Sequence, residues 1–154
     1  MDTFEIAGLP LHPLIVHALV VLLPLTALAL VLGTFVPAAR RRLGVVTPVA
    51  ALVVLALTPI TVVAGESLME TVGLLPGVAE HADLGRMLLP WTIALFVVSA
   101  AQWAWHRFRP ERSDPRRSDA VVTAVLAVLA VAVAVGSTVM VVLIGEAGAR
   151  AVWG

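Results

Sequence analysis

Residues 120–145 read AVVTAVLAVLAVAVAVGSTVMVVLIG, and this stretch contains no charged side chain. Three further uncharged runs precede it, at 6–39, 43–65 and 87–105. A helix needs about 20 apolar residues to cross a hydrocarbon core of roughly 30 Å, and each run approaches or exceeds that length. The 154-residue chain is 60% hydrophobic and 13% charged, which is more apolar surface than a soluble domain of this size can bury.

The uncharged runs predict an all-α fold, an integral membrane four-helix bundle. Helices are expected because the strands of a membrane β-barrel would alternate in polarity over segments of about 10 residues. We place the spans at about 13–36, 45–65, 84–105 and 120–145, in a single domain that covers residues 1–154. The longest outer loop is then 66–83, and 110–118 forms a polar turn.

The distribution of arginine predicts the orientation of the bundle. All ten basic residues are arginines, and eight of them lie in the segments 40–42 and 107–117. Basic residues are retained on the cytoplasmic side of a membrane, so both chain termini should lie on the outer, non-cytoplasmic face. We interpret the arginine clusters as this topology signal, with the lipid bilayer as the expected partner and no nucleic acid.

Matches between the two halves of the chain indicate an internal duplication. The pattern Leu-Leu-Pro-x-Thr occurs at 22–26 and again at 88–92, and Gly-Glu closes the second and fourth spans at 65–66 and 145–146. Because the matches come in the same order, we predict two related helical hairpins with the same orientation.

Several classes of chemistry are excluded or disfavoured by residues that the sequence lacks. The chain contains no cysteine, which excludes disulfides, thiolate metal sites and iron–sulfur ligation. It also lacks a glycine-rich phosphate loop and a nucleophile at usable spacing from a base. We therefore do not expect a hydrolase or a nucleotide-driven pump, and other enzymatic activity stays open.

The residues that suggest chemistry collect near the predicted outer ends of the four helices. They are His12, His17, Glu66, His81 and Glu146. We expect Glu66 and Glu146 at helix C-termini, where the macrodipole disfavours an anion and an arginine, a protonated histidine or a metal ion must compensate. His12 and His17 are about 140° apart around a helix, and His12 precedes Pro13, so we expect His12 to lie outside the helix.

The segment LPLHPLIVH, residues 9–17, resembles the opening of the bacterial membrane-protein family catalogued as domain of unknown function 2231. The likeness continues at Gly65-Glu66, at His81 and at Gly145-Glu146, and so covers nearly the whole chain. The sequence departs from the family pattern at Ala18-Leu19, where Phe-Pro is usual, and some members carry Asp at the position of His17. The family's domain is similar to one joined to Rieske-type or cytochrome modules, which implies membrane redox work.

Our leading hypothesis is a haem or metal site at the outer end of the bundle, serving membrane electron transport. In the haem version, His17 and His81 are axial ligands of a b-type haem, and the charges of Glu66 and Glu146 lower its reduction potential. In the metal version, a divalent ion such as Zn, Cu or Fe is bound by imidazole and carboxylate groups. Its ligands would come from His12, His17, Glu66, His81 and Glu146.

Two other functions stay open from the residues alone. The protein could be a cofactor-free structural or accessory subunit of a larger membrane complex, its outer polar cluster forming a hydrogen-bonded plug. It could also be a small transporter or proton relay, because intramembrane His and Glu residues also move protons. For the redox reading, the expected protein partners are other membrane redox proteins or a second copy of the chain.

Overall fold

A computed structural model describes residues 5–6, 9–73, 76–109 and 117–153. The elements are β1 (Glu5–Ile6), β2 (Leu9–Pro10), α1 (Leu11–Phe35), α2 (Pro37–Leu43), α3 (Val46–Val72), α4 (Pro76–Phe108) and α5 (Arg117–Trp153). β1 and β2 form a short antiparallel pair before α1. In the described chain, α1, α3, α4 and α5 are long and apolar enough to cross a membrane, which confirms the predicted helical membrane bundle.

The helices extend further than the predicted spans at the end of the bundle that holds His12 and His81, which we call the histidine end. α3 continues to Val72 and α4 already starts at Pro76, so most of the predicted loop 66–83 is helical. α5 continues to Trp153 instead of ending near 145. The helices extend past the predicted spans because a helix that leaves the apolar layer continues wherever its polar side chains find water or ion-pair partners. Most of the predicted turn 110–118 lies outside the described residues.

Each long helix packs against two others, in the cyclic order α1, α3, α4, α5, while α1 and α4 are diagonal neighbours with little contact. The core between them is formed by large apolar side chains, among them Leu19, Leu23, Leu30, Val54 and Leu95. α2 has no buried residue and follows α1 after a break at Val36. It holds Arg40, Arg41 and Arg42 at the opposite end of the bundle, which we call the arginine end.

The buried positions repeat between the two hairpins, α1–α3 and α4–α5. Leu19, Leu23, Thr26 and Leu30 of α1 recur as Leu88, Thr92, Leu95 and Ser99 of α4, each 69 positions later. Thr47, Ala51, Val54 and Thr58 of α3 recur as Ala130, Ala134, Ser137 and Val141 of α5, each 83 positions later. This burial pattern relates the hairpins by an approximate two-fold axis along the bundle.

The register of this repeat differs from the register of the Leu-Leu-Pro-x-Thr match. That match, 66 positions apart, would pair the buried Leu23 with Leu89, which is exposed. The Gly-Glu match, 80 positions apart, pairs Gly65 with Gly145, whereas the burial pattern, 83 positions apart, pairs Gly65 with Gly148. The sequence match is therefore displaced by about one helical turn from the structural equivalence.

Buried hydroxyl groups along the core are bonded to carbonyls of their own helices. Thr26 donates to Leu22 O at 2.7 Å, and Thr58 donates to Val54 O at 2.8 Å. Lipid offers no hydrogen-bond partner, so these bonds satisfy polar groups that would otherwise be costly in the membrane interior. Among the described residues that are not exposed, every buried side-chain nitrogen and oxygen has a hydrogen-bond partner.

Gly136 of α5 is required where the indole of Trp91 crosses from α4. A β-carbon at position 136 would lie 1.9 Å from Cζ3 of Trp91, well inside van der Waals contact. We expect Gly136→Ala to destabilise the bundle by about 1–3 kcal/mol, because a well-packed core accepts an extra methyl group only by displacing its neighbours. Unfolding followed by circular dichroism in mixed detergent micelles measures the change.

Gly145→Ala is the matched control, since a β-carbon there meets nothing within 4 Å. Adding Trp91→Leu to Gly136→Ala should recover part of the loss, because it removes the clashing ring. Equal stability of the Gly136→Ala and Gly145→Ala proteins would contradict this packing.

Candidate functional site

Two imidazoles meet at the histidine end, between the diagonal helices α1 and α4. The ring centroids of His12 and His81 are 6.1 Å apart, and the ring planes are at 89° to each other. The two residues are also 69 positions apart, so they are equivalent under the repeat that relates the hairpins. We call them the histidine pair.

Each imidazole of the pair is bonded to a backbone carbonyl of a neighbouring helix. His12 Nδ1 lies 2.9 Å from Thr61 O of α3, and His81 Nδ1 lies 3.0 Å from Ile144 O of α5. A carbonyl oxygen only accepts hydrogen bonds, so each Nδ1 carries the proton. In the neutral imidazole, Nε2 then holds a lone pair that is free to bind a proton or a metal.

A glycine one turn beyond each carbonyl lets the ring approach the neighbouring helix. A β-carbon at Gly65 would lie 2.8 Å from Cε1 of His12, and one at Gly148 would lie 3.1 Å from Cε1 of His81. The spacing from Thr61 to Gly65 equals that from Ile144 to Gly148, and together they form matching cradles on α3 and α5. The sequence analysis did not pair either histidine with its distant glycine.

His17 lies outside this arrangement. Its side chain is exposed, and its Nδ1 lies 2.6 Å from Pro13 O of the same helix. The expectation that His12 precedes the helix was wrong, because α1 begins at Leu11 and Pro13 is accommodated in its first turn. With His12 helical, the 140° between the two histidines directs only one of them to the core, and it is His12 that faces His81.

Glu66 and Glu146 are held by arginines. Arg86 bonds Glu66 Oε1 through Nη2 at 2.9 Å and Nε at 3.1 Å, and it also contacts Asp83 at 2.9 Å. Arg150 bonds Glu146 on α5 and reaches Glu80 on α4 at 3.2 Å. Arginine partners were among those expected, but the helix-terminus reasoning was wrong because both glutamates lie well inside α3 and α5.

The five-residue metal site is not assembled. In the part of the chain that the structure describes, no group of three or more His, Asp or Glu side chains is arranged to hold a metal ion. The ion pairs of Glu66 and Glu146 and the outward position of His17 account for this result. Of the predicted residues, the structure brings together His12 and His81.

A second polar cluster, which the sequence analysis missed, lies at the arginine end. Gln102 is buried and donates through Nε2 to Thr34 Oγ1 at 2.6 Å, across from α4 to α1. Arg109 binds the buried carboxylate of Asp119 at 3.2 Å. The arginine end therefore holds organised polar contacts as well as a topology signal. The amide of Gln102 within an otherwise apolar span was the available clue.

With both clusters described, the family of the chain can be stated. The profile of the family described as predicted membrane protein, domain of unknown function 2231, matches residues 8–154. The chain belongs to this family. The match includes the histidine pair, both glycine cradles and all four long helices. No curated protein and no solved structure shows significant similarity to the chain.

Gly65→Ala should displace the imidazole of His12 from Thr61 O, since the new methyl group would lie only 2.8 Å from Cε1. Nitrogen-15 histidine spectra of the protein in micelles report the protonated ring nitrogen directly. We expect the His12 signals to shift while those of His17 stay in place.

Gly145→Ala again serves as the control, and Gly148→Ala should shift the His81 signals instead. Unchanged His12 signals in the Gly65→Ala protein would rule out the close contact between ring and helix.

Proposed function

We propose that this membrane protein carries electrons through a redox metal held between His12 and His81 at the histidine end. The observation that supports the proposal most directly is the paired geometry of the two rings, 6.1 Å apart on diagonal helices. Two imidazoles bound to opposite sides of one metal, with metal–nitrogen distances of about 2 Å, have centroids separated by about 6 Å.

The hydrogen bonds of the pair support the same role. Histidine ligands commonly donate their second ring nitrogen to a carbonyl or carboxylate, which fixes the tautomer and the orientation of the ring. His12 and His81 both have this arrangement, through Thr61 O and Ile144 O. Each Nε2 is thereby prepared for a metal without any rearrangement of the proton.

The number of protein ligands favours haem iron among the metals considered. The described residues supply two imidazoles, and they place no further histidine or carboxylate within reach of the same ion. Zinc and non-haem iron require more protein ligands than this, whereas a haem iron takes four nitrogens from its macrocycle and two from the protein. When bound, a haem b supplies reversible one-electron chemistry.

Small residues beside the pair allow each imidazole to lie against its neighbouring helix. Ala64 and Gly65 on α3, and Ala147 and Gly148 on α5, occupy equivalent positions next to the two imidazoles. Side-chain bulk at this level of the flanking helices is therefore low.

The charges around the pair differ from those assumed in the sequence analysis. Glu66 and Glu146 are each neutralised by an arginine, and their side chains remain 43% and 60% exposed. Their influence on a reduction potential should therefore be small, because exposed and paired charges are strongly screened. These exposed ion pairs also put the histidine end close to water, where a redox partner could approach it.

We assign this end to the outer face of a bacterial inner membrane, following the arginine distribution.

A cofactor-free structural subunit is the second candidate function. The observation that favours it is that each histidine already joins two helices, His12 from α1 to α3 and His81 from α4 to α5. In this case the two hydrogen bonds hold the end of the bundle closed, and the free Nε2 atoms have no ligand.

An absorption spectrum of the purified protein in detergent distinguishes the candidates. We expect a Soret band that sharpens on reduction, with one haem per chain, and its loss in both His12→Ala and His81→Ala. His17→Ala is the matched control and should retain the full band, because His17 is exposed and bonded within α1.

Elemental analysis of the same samples covers the other outcomes. A colourless protein with one copper per chain, lost in the same two variants, would replace haem with a bare ion while keeping the histidine pair as the site. A colourless and metal-free protein that also fails to bind added haemin would overturn the redox proposal and leave the structural role.

A further inference from the structure

Two cavities open at the arginine end, on either side of Gln102 and His106 of α4. The larger, about 450 Å³, lies toward α5, and the smaller, about 310 Å³, lies toward α2 and α3. Both are lined by Gln102 and His106. They are far from the histidine pair, since the 22 residues from His12 to Thr34 span about 33 Å of helix.

The two cavities differ in charge. In the larger one, Arg109 faces Asp119, and the ion pair between them at 3.2 Å leaves no net charge. The smaller one is lined by Arg40, Arg41 and Arg107, and no acidic side chain is among the described residues that line it. The smaller cavity is therefore the one suited to an anion.

Of the cationic groups of this cavity, Arg40 is held in place by two hydrogen bonds. Arg40 donates from Nε to Gly33 O at 2.8 Å and from Nη2 to Thr34 O at 2.6 Å, which fixes its guanidinium against the end of α1. The guanidinium of Arg107 lies 5.8 Å from the ring centre of Phe108. Guanidinium groups match the oxygens of a phosphate in shape and charge, and a fixed guanidinium loses little freedom on binding.

The surroundings of the cavity favour a phosphate that is attached to a lipid. It lies where the candidate spans end, at Phe35, Val46 and Phe108, a level that we assign to the lipid headgroups. Large apolar side chains at the same end are exposed, with Phe35 at 61%, Val46 at 57% and Phe108 at 68%. Such residues are suited to contact with acyl chains, while basic pockets between transmembrane helices accept anionic headgroups.

We propose that the cavity lined by Arg40, Arg41 and Arg107 binds the headgroup phosphate of an anionic phospholipid. This site is independent of the histidine pair, and the redox proposal can fail without affecting it. The bound lipid would fill the cleft between α2 and α4 and neutralise arginines that face no carboxylate among the described residues lining it.

Native mass spectrometry of the detergent-solubilised protein tests the proposal. With phosphatidylglycerol and phosphatidylcholine of equal chain length, we expect one phosphatidylglycerol to bind about tenfold more tightly than phosphatidylcholine. The double variant Arg41→Ala/Arg107→Ala should abolish this preference. Arg40 is left intact because its bonds to Gly33 and Thr34 stabilise the end of α1.

The matched control is Arg42→Ala/Arg117→Ala, which removes the same charge from exposed positions that do not line the cavity. It should keep the preference for phosphatidylglycerol. Equal binding of the two lipids by the wild-type protein, or equal loss in both double variants, would overturn the proposal by reducing it to general charge attraction. Displacement of phosphatidylglycerol by millimolar inorganic phosphate would overturn the lipid assignment and identify free phosphate as the ligand.

Discussion

The absence of hydrogen-bond partners in the hydrocarbon layer constrains this structure more than any other factor. Every polar group that the sequence places between the helices must be satisfied by the bundle itself. Threonine and serine hydroxyls meet this demand locally, by donating to carbonyls of their own helix. The histidine pair meets it between helices, and Thr61 O and Ile144 O thus determine which way each ring turns. The site geometry is therefore a consequence of the same constraint that makes the fold helical.

The sequence alone predicted the four helices and gave arginine as one of several possible partners for the two glutamates, but it misplaced the core histidine. The uncharged runs predict spans reliably, because bilayer thickness fixes how long such a run must be. They do not predict where a helix ends once it has left the apolar layer. The placement of His12 depended on one such end, the start of α1. Placing its start at Pro13 instead of Leu11 removed His12 from the helix and made His17 the apparent ligand. A shift of two residues at a helix start was enough to exchange the two histidines.

The glycine cradles could not be predicted from local sequence, because each depends on contact between residues about 50 to 70 positions apart. Glycines are frequent in membrane helices, and nothing near Gly65 or Gly148 distinguishes them from Gly145. The burial pattern distinguishes them, since it pairs Gly65 with Gly148 and His12 with His81 in one register. The same register pairs His17 with Arg86, so the repeat is retained at the core and lost on the ion-paired surface. An internal duplication explains the retained part, and divergence of exposed positions explains the rest.

The two cavities at the arginine end lie on opposite sides of Gln102 and His106 of α4. One lies toward α2 and α3, and the other lies toward α5. Beside the larger cavity, α5 begins at Arg117, which is earlier in the repeat than the start of α3 at Val46. This early start brings Asp119 to Arg109. Asp119 thus cancels the charge of Arg109 in one cavity, while the described residues lining the other include three arginines and no carboxylate. Two halves with the same packing have in this way acquired different electrostatic character through one side chain at a helix start.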